Sequence, residues 1–327
     1  MHTRRFVIQV ALAFAALYTI WGSTYLAIQI AGRDVPPFLM AGTRFLVAGG
    51  VLLACCAMFG SVTRTDLSRR NWSAAFVVGF GLMLVGNGGI AYSLQRIPSG
   101  IAAVIVALTP MWLVMFDWAQ KRSEGQRGRP TVTVFVGIAL GIAGIATLKF
   151  EGQLEGGAGS LPALDRIGIL LTIVSTIGWA FGSIWGRTAP RPSSPVTACA
   201  MQMLAGGTLL LIASPLFESW SDVRVQELPP RFWIAWSYLI VFGSLCGFTA
   251  YIWLLQNVSA AKVGTYAYVN PIVAIVIGSV LNDERFTGTQ AAACALVLTG
   301  VMVITLFRDR RVQPLTTPTP LARPSPE

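Results

Sequence analysis

Polar side chains follow one face of the first long apolar segment, which contains IWGSTYLAIQIA at residues 20–31. Four residues spaced by four, three and four positions fall on one stripe of a helix: Tyr18, Gly22, Tyr25 and Gln29. In hydrocarbon, such a stripe should face other helices or a wet cavity. It therefore predicts either a binding cavity lined by Tyr25 and Gln29, or helix–helix contacts in which Gly22 permits close approach.

Residues that could contact a solute recur in two other apolar segments. Trp21 lies too deep in its segment to anchor it at a membrane surface, so we expect it in a cavity or core. Trp179 and Ser183 occupy the comparable place later in the chain, and Asn87 stands within GNGG at 86–89. Glycines around an asparagine are typical of a bent helix with exposed backbone, and equally of tight packing.

A further candidate lies in the sequence TYAYVNP at 265–271. Pro271 removes one helix hydrogen bond and frees a carbonyl about one turn earlier. Tyr266 and Asn270 share a helix face because they are four residues apart. We predict that Tyr266, Tyr268 and Asn270 line the same pathway as the residues above.

Arg44 lies eight residues into the second apolar segment, roughly 12 Å along a helix axis. An arginine at that depth costs about 2.5–3.5 kcal/mol on insertion scales, so it needs a partner or water. Its planar fork suits a substrate carboxylate, and it could equally bind the carbonyl ends of a neighbouring helix. Gln202 occupies the corresponding place in the second half of the chain.

The elements that must position these residues are long and apolar. The chain has 327 residues, of which 54% are hydrophobic and 12% charged, and its mean hydropathy is +0.64. A bilayer crossing takes about 20 apolar residues, and ten segments qualify: 7–30, 36–59, 73–94, 99–119, 131–149, 166–186, 196–217, 232–255, 262–281 and 288–307. We predict an all-α membrane protein with ten transmembrane helices, followed by a disordered proline-rich tail at 312–327.

The net charge of +10 is an orientation signal. If the N-terminus lies inside, the inner connections and ends hold 16 of the 24 Lys and Arg residues and the outer connections hold 7. The positive-inside rule then predicts that both termini are cytoplasmic. Because the basic excess is explained in this way, it predicts no nucleic-acid partner. The partners expected are the lipid bilayer and a small-molecule substrate.

The two halves of the chain resemble each other. QRIPSGIAAVIVALTP at 95–110 aligns with QNVSAAKVGTYAYVNP at 256–271. Residues 7–149 and 166–307 then form two units of five helices each, and an odd number of helices inverts the second unit relative to the first. Inverted repeats are typical of transporters, whose halves exchange conformations around a central site.

Asp117 and Glu284 are the candidate groups for ion coupling, and both lie near the ends of their segments. Proton coupling normally uses a carboxylate or histidine within the membrane, and no acid lies at mid-membrane here. We therefore hypothesise that transport is facilitated or exchange-driven, or couples protons only through these two peripheral groups.

Short motifs in a fixed order complete the pattern: Trp21-Gly22-Ser23, Pro36-Pro37, Arg44-Phe45, Pro98-Ser99-Gly100, Pro110, Asn270-Pro271 and Glu284-Arg285. Their order over residues 7–307 resembles the EamA-type branch of the drug/metabolite transporter superfamily. The resemblance implies a ten-helix inverted repeat in a bacterial inner membrane. It also implies a secondary-type carrier, often an exporter of amino acids or related amphipathic metabolites.

Other function classes find less support. The only histidine is His2, one acidic residue (Asp117) lies within a segment, and no phosphate-binding Gly-Lys-Ser/Thr sequence occurs. The five cysteines lie in apolar runs without metal-ligand spacing. We therefore predict no catalytic residues, cofactor, disulfide or metal site. A channel or a membrane-embedded enzyme remains the alternative, although the charge rings of a filter are missing.

Overall fold

The computed structural model describes residues 2–123, the positions 135–137, 139–141, 143, 144 and 147, and residues 165–221, 223–258, 263, 265–282 and 287–306. Within those ranges, every residue in regular secondary structure is helical and no strand occurs. The proline-rich tail at 312–327 lies outside them.

We number the helices in chain order: α1 (His2–Ala31), α2 (Pro37–Met58), α3 (Arg69–Gly79, Phe80–Gly88 and Gly89–Ser93), α4 (Ser99–Val106 and Thr109–Ser123), α5 (the helical positions of 135–147), α6 (Arg166–Thr188), α7 (Pro195–Phe217), α8 (Pro230–Tyr238, Leu239–Cys246 and Gly247–Asn257), α9 (Tyr266–Leu281) and α10 (Gly288–Leu306). A short 3₁₀ turn, Val225–Glu227, precedes α8.

Seven helices of the described part are long and apolar enough to cross a membrane, namely α1 to α4 and α6 to α8. The described parts of α9 and α10 are shorter apolar helices. The prediction of an all-helical chain with membrane-spanning segments is therefore confirmed. The number of ten spans and the cytoplasmic position of the termini stay predictions.

Helix starts follow local chemistry. Proline occupies the first helical position of α2, α7 and α8, where its missing N–H would have no partner anyway. Asp165 caps α6, since its carboxylate accepts hydrogen bonds from the N–H groups of Ile167 (2.7 Å) and Gly168 (3.1 Å). Ser68 and Ser194 cap α3 and α7 in the same way.

Both third helices of the predicted units contain a π-helical segment, Phe80–Gly88 in α3 and Leu239–Cys246 in α8. A π turn adds one residue to the helical turn and is frequent at functional sites. The glycines of GNGG at 86–89 thus lie at the end of a π segment. Their predicted packing role is also present, because a Cβ at Gly88 would come within 2.7 Å of the Leu210 side chain.

The helix contacts come in matched pairs. The most extensive lie between α3 and α6, between α2 and α7, between α1 and α8 and between α3 and α7, followed by those between α4 and α6 and between α1 and α9. Each pair joins one helix of the first half to one of the second half. The α2–α7 crossing is close because glycines meet there: a Cβ at Gly207 would lie 3.0 Å from the carbonyl oxygen of Gly42.

A carboxylate braces each end of the α2–α7 pair. At one end, Asp66 in the α2–α3 connection accepts hydrogen bonds from the N–H groups of Ser193 (2.8 Å) and Thr63 (2.9 Å). At the other end, Glu218 after α7 accepts from the N–H groups of Phe38 (2.7 Å) and Leu39 (3.2 Å), in the first turn of α2. Each brace therefore holds the start of the second helix of the other half.

Candidate functional site

A cavity of about 100 Å³ lies where seven helices meet. On the scale where one water needs about 10–15 Å³, it holds several waters or a small solute. Its lining comes from both halves of the chain: Trp21, Thr24, Tyr25, Ile28, Arg44, Gly86, Asn87, Ile90, Val106, Thr109, Ser175, Thr176, Trp179, Gly243, Ser244, Phe248, Tyr266 and Asn270. We call this space the central cavity.

The central cavity brings together seven of the ten residues predicted to bind substrate: Trp21, Tyr25, Arg44, Asn87, Trp179, Tyr266 and Asn270. The other three lie elsewhere. Gln29 accepts a hydrogen bond from Asn282 Nδ2 (3.2 Å), beyond the cavity. Ser183 donates to the carbonyl of Trp179 (2.7 Å) and lines a second cavity. Tyr268 packs against the apolar core.

Arg44 projects from α2 into the central cavity with 4% of its surface exposed. Its Nη2 donates to Asn87 Oδ1 at 3.3 Å, and its guanidinium lies 4.1 Å from the centre of the Phe45 ring. Its Nε has no hydrogen-bond partner. No carboxylate of the described residues forms an ion pair with Arg44. Arg44 is also the only charged side chain in the described lining of the central cavity.

Asn87 owes its position to the π segment of α3. Its Nδ2 donates to the carbonyl of Leu82, five residues earlier, at 3.1 Å. Its Oδ1 is then directed to Arg44. The amide therefore connects α2 to α3 and satisfies a backbone carbonyl inside the π segment.

Two proline sites contribute matched polar groups. Pro110 cannot donate to the carbonyl of Val106, and the hydroxyl of Thr109 donates to that oxygen instead, at 2.6 Å. In α9, the residue before Pro271 also donates to backbone carbonyls, although not to that of Ala267, which lies four residues before the proline. The Asn270 amide, oriented to satisfy its neighbours, donates to the carbonyls of Tyr266 (3.2 Å) and Tyr18 (3.3 Å).

Aromatic rings form one side of the cavity. The ring centre of Trp21 lies 5.2 Å from Tyr266, 5.4 Å from Phe248 and 6.3 Å from Trp179. The Trp21 indole N–H donates to the carbonyl of Gly243 (3.3 Å), inside the π segment of α8. The indole is thus fixed by a hydrogen bond as well as by packing.

Glycines make room for the two tryptophans in a repeated arrangement. A Cβ at Gly86 would come 3.2 Å from the Trp179 ring, and a Cβ at Gly247 would come 2.9 Å from Cδ1 of Trp21. Gly86 and Gly247 are 161 residues apart, the offset of the sequence repeat. Helix α3 therefore accommodates Trp179 of the second half, and α8 accommodates Trp21 of the first half.

A second, larger cavity of about 450 Å³ adjoins the first. It extends between α3, α6, α7 and α8 to the connection at 189–195. We call it the inner cavity, because the distribution of Lys and Arg predicts that this end of the bundle faces the cytoplasm. Trp179 and Phe248 line both cavities, so these two side chains lie at the boundary between them.

The two coupling candidates do not meet the central cavity. Asp117 forms an ion pair with Arg187 at 3.2 Å, near the C-terminal ends of α4 and α6, and lines neither cavity. Glu284 lies outside the described residues. No group of three His, Cys, Asp or Glu side chains in the described part could hold a metal ion.

Sequence reasoning missed several lining residues. Thr109 could have been found, because the offset of 161 residues pairs it with Asn270, and both precede a proline. Ser175 and Ser244 carry only the weak signal of a hydroxyl in an apolar helix. Phe248 and Gly243 carry none, since one is an ordinary apolar residue and the other contributes its backbone carbonyl.

Comparisons with known proteins agree with this architecture. A sequence model of the EamA-like transporter family matches residues 8–150 and 166–306. The chain is 38% identical over 296 residues to "Uncharacterized inner membrane transporter YedA" of Escherichia coli (strain K12), covering 90% of each chain. It is 26% identical over 312 residues to a "Probable amino-acid metabolite efflux pump" of Salmonella typhimurium, covering 89% of this chain and 93% of that one.

A solved crystal structure is similar in fold. It superposes with a TM-score of 0.60 at 24% identity and covers 91% of this chain and 96% of its own. The fold and the cavity define a helical membrane protein with a central solute-sized site. The chain belongs to the EamA-like transporter family.

Proposed function

We propose that this protein is a secondary-type transporter of the bacterial inner membrane that exports a small metabolite, an amino acid or a related amphipathic solute. The observation that carries the proposal is the central cavity, which is lined by both halves of the chain and contains polar groups, aromatic rings and one cation. The relatives named as an inner membrane transporter and an amino-acid metabolite efflux pump support the same class and direction.

The proposed architecture is a pair of inverted five-helix repeats, residues 7–149 and 166–307, which cross the membrane ten times with both termini in the cytoplasm. The matched helix pairs support it, as does the π segment in each third helix. The equivalent glycine–tryptophan contacts at Gly86 and Gly247 support it further. Repeats related in this way can exchange conformations and expose one site to either side of the membrane.

The two cavities suggest the path of the solute. The inner cavity leads from the 189–195 connection towards the centre, and Trp179 and Phe248 lie at the boundary. At the outer end, Arg231 Nη2 pairs with Asp34 Oδ1 at 2.7 Å, which connects α8 to the α1–α2 connection. The described conformation is therefore consistent with approach from the inner side and closure at the outer side.

The absence of a carboxylate from the described lining of the central cavity bears on energy coupling. We propose that transport is facilitated or exchange-driven, or couples protons only through Asp117 and Glu284. The test is a measurement of proton-to-substrate stoichiometry in proteoliposomes. A 1:1 ratio that persists after substitution of both residues would contradict the proposal.

The function itself is tested by counterflow in proteoliposomes with labelled amino acids and organic cations. We expect saturable flux that falls strongly in Tyr25→Ala and less in Tyr25→Phe, which keeps the ring. Phe181→Ala is the matched control, because that side chain is 38% exposed on the outside of α6. Absence of saturable flux for every solute, in protein that retains its melting transition, would contradict a carrier.

A further inference from the structure

We propose that Arg44 binds a carboxylate of the transported solute, so that the substrate class is small carboxylic acids with an apolar or aromatic remainder, amino acids among them. This inference rests on the proposed function and names the chemistry of its site. It follows from three properties of the central cavity: its single cation, the state of its hydroxyl donors and its aromatic side.

The cation has only weak partners within the described part of the protein. Arg44 is 4% exposed, and Asn87 Oδ1, a neutral acceptor, is its one hydrogen-bond partner, at 3.3 Å. Its Nε is buried without a partner while the side chain lines the cavity. A buried charge without a counter-ion is unfavourable, and an anion that enters the cavity relieves this cost. The guanidinium fork also matches a carboxylate with two parallel hydrogen bonds.

Four of the hydroxyl groups around the cavity are already engaged as donors. Thr24, Thr109, Ser175 and Thr176 each donate to a carbonyl of their own helix, at 2.6–2.7 Å. The Asn270 amide likewise donates to backbone carbonyls. These groups present oxygen lone pairs to a solute, which repel a carboxylate. Arg44 is therefore the charged donor that an entering carboxylate can use, together with the hydroxyls of Tyr25, Ser244 and Tyr266 in the same lining.

The other side of the cavity favours an apolar or aromatic group. Trp21, Trp179, Phe248 and Tyr266 supply rings from α1, α6, α8 and α9. Ring faces also accept an ammonium group through cation–π attraction. A solute with a carboxylate at one end and a ring or aliphatic chain at the other would match both sides.

The repeat shows that the charge is specific to one half. Gln202, which corresponds to Arg44 in the sequence repeat, lines the inner cavity and carries no charge. A purely structural cation needed by each repeat would be present twice. The inner cavity has its only described cation, Arg191, exposed at its 189–195 end, so the one buried cation of the two linings fits one anionic group per solute.

Three ligands with the same ring separate the possible determinants: phenylalanine, 3-phenylpropionate and phenethylamine. Their binding to purified full-length protein is measured in detergent, by the shift in melting temperature and by equilibrium binding. We expect the two carboxylates to bind at least about tenfold more tightly than phenethylamine, as for a hydrogen-bonded charge. Arg44→Gln should remove that preference and Arg44→Lys should retain part of it.

Arg33→Gln is the matched control, since Arg33 is an exposed arginine at the end of α1 that donates to Asn282 (2.9 Å) and lines neither cavity. It should keep the wild-type preference. If Arg44→Gln loses its melting transition, the comparison rests on Arg44→Lys and on the wild-type ligand series, which needs no variant.

The outcomes separate this inference from the proposed function. Equal binding of phenethylamine and 3-phenylpropionate by the wild type, or an unchanged preference in Arg44→Gln, would overturn the carboxylate assignment even if solutes exchange across the membrane. Arg44-dependent binding of carboxylates without counterflow of any solute would support the assignment and contradict the carrier.

Discussion

The central and inner cavities lie side by side, share Trp179 and Phe248, and differ in size and in the position of their charge: Arg44 is buried in the central cavity, whereas Arg191 is exposed at the 189–195 end of the inner cavity. The inner cavity is the larger, about 450 Å³ against about 100 Å³, yet its described lining places Gln202 where the repeat places Arg44 in the central cavity. Volume alone would assign the solute to the larger space. Because Arg44 is buried in the central cavity and seven helices converge there, we assign the solute to that cavity. The inner cavity is then its approach.

The boundary between the cavities is the first place to break this distinction. In Trp179→Ala combined with Phe248→Ala, the two spaces should merge. We expect counterflow to fall about tenfold or more, because these two half-buried rings separate the central cavity from its approach. Proteoliposome counterflow measures the effect.

Trp233→Ala is the control for that pair, since Trp233 is 42% exposed on the surface of α8. It should leave exchange unchanged. Unaltered counterflow in the double variant would show that the boundary has no part in retaining the solute.

A second change places a charge on α7 inside the inner cavity, whose Arg191 is exposed at the 189–195 end. Gln202→Arg should lower the melting temperature, since an arginine at membrane depth costs about 2.5–3.5 kcal/mol. It should also slow exchange of carboxylates by retaining them on the approach side. Gln202→Met, similar in volume but uncharged, should do neither. Faster carboxylate exchange in Gln202→Arg would contradict the division into approach and site.

A smaller effect, on stability, is expected at Thr109, whose hydroxyl takes the place of the backbone N–H that Pro110 lacks. Thr109→Val removes the hydroxyl that satisfies the carbonyl freed by Pro110, and should cost about 1 kcal/mol of unfolding free energy. Thr208→Val is the control, because its hydroxyl donates to the carbonyl of Leu204 (2.8 Å) in a helix turn without proline. An equal loss of unfolding free energy in the two variants, measured from their melting curves, would contradict the role of Thr109.

The last effect is a pH dependence of stability that involves Asp66, outside the cavities. The hydroxyl of Thr63, and then the N–H of Ser193, hold the pKa of Asp66 well below its usual range. Its contribution to stability is therefore present above the unfolded-state pKa and is lost as pH falls through the folded-state pKa.

In Asp66→Asn, the melting temperature at pH 7 should fall, because an amide nitrogen replaces one of the two carboxylate oxygens that accept from the N–H groups of Thr63 and Ser193. The further loss of melting temperature on acidification should be smaller than in the wild type. Glu227→Gln serves as the control, since that carboxylate is 67% exposed. If the melting temperatures of Asp66→Asn and the wild type depend identically on pH, the ionised Asp66 carboxylate does not brace the α2–α7 pair.

The sequence predicted helices well because apolar length is a property of the segment alone. The binding face was harder to predict. Tyr25 and Gln29 share a stripe, yet Tyr25 lines the cavity and Gln29 meets Asn282 one turn further on. Spacing gives the angle around a helix axis but not the height at which neighbouring helices leave space. Phe248 reaches the cavity only because α8 packs against α1, which no local pattern encodes.

The π segments of α3 and α8 have a mechanical consequence. Each already contains one residue more than an α-helix of the same rise would hold. If that surplus moves one position along the helix, the residue it passes turns by about 100° about the axis while both ends stay in place. Asn87 lies inside one segment, and Phe248 is the second residue after the other. The side chains that α3 and α8 direct at the cavity can therefore change direction by rotation about the helix axis, while neither helix lengthens, breaks or tilts.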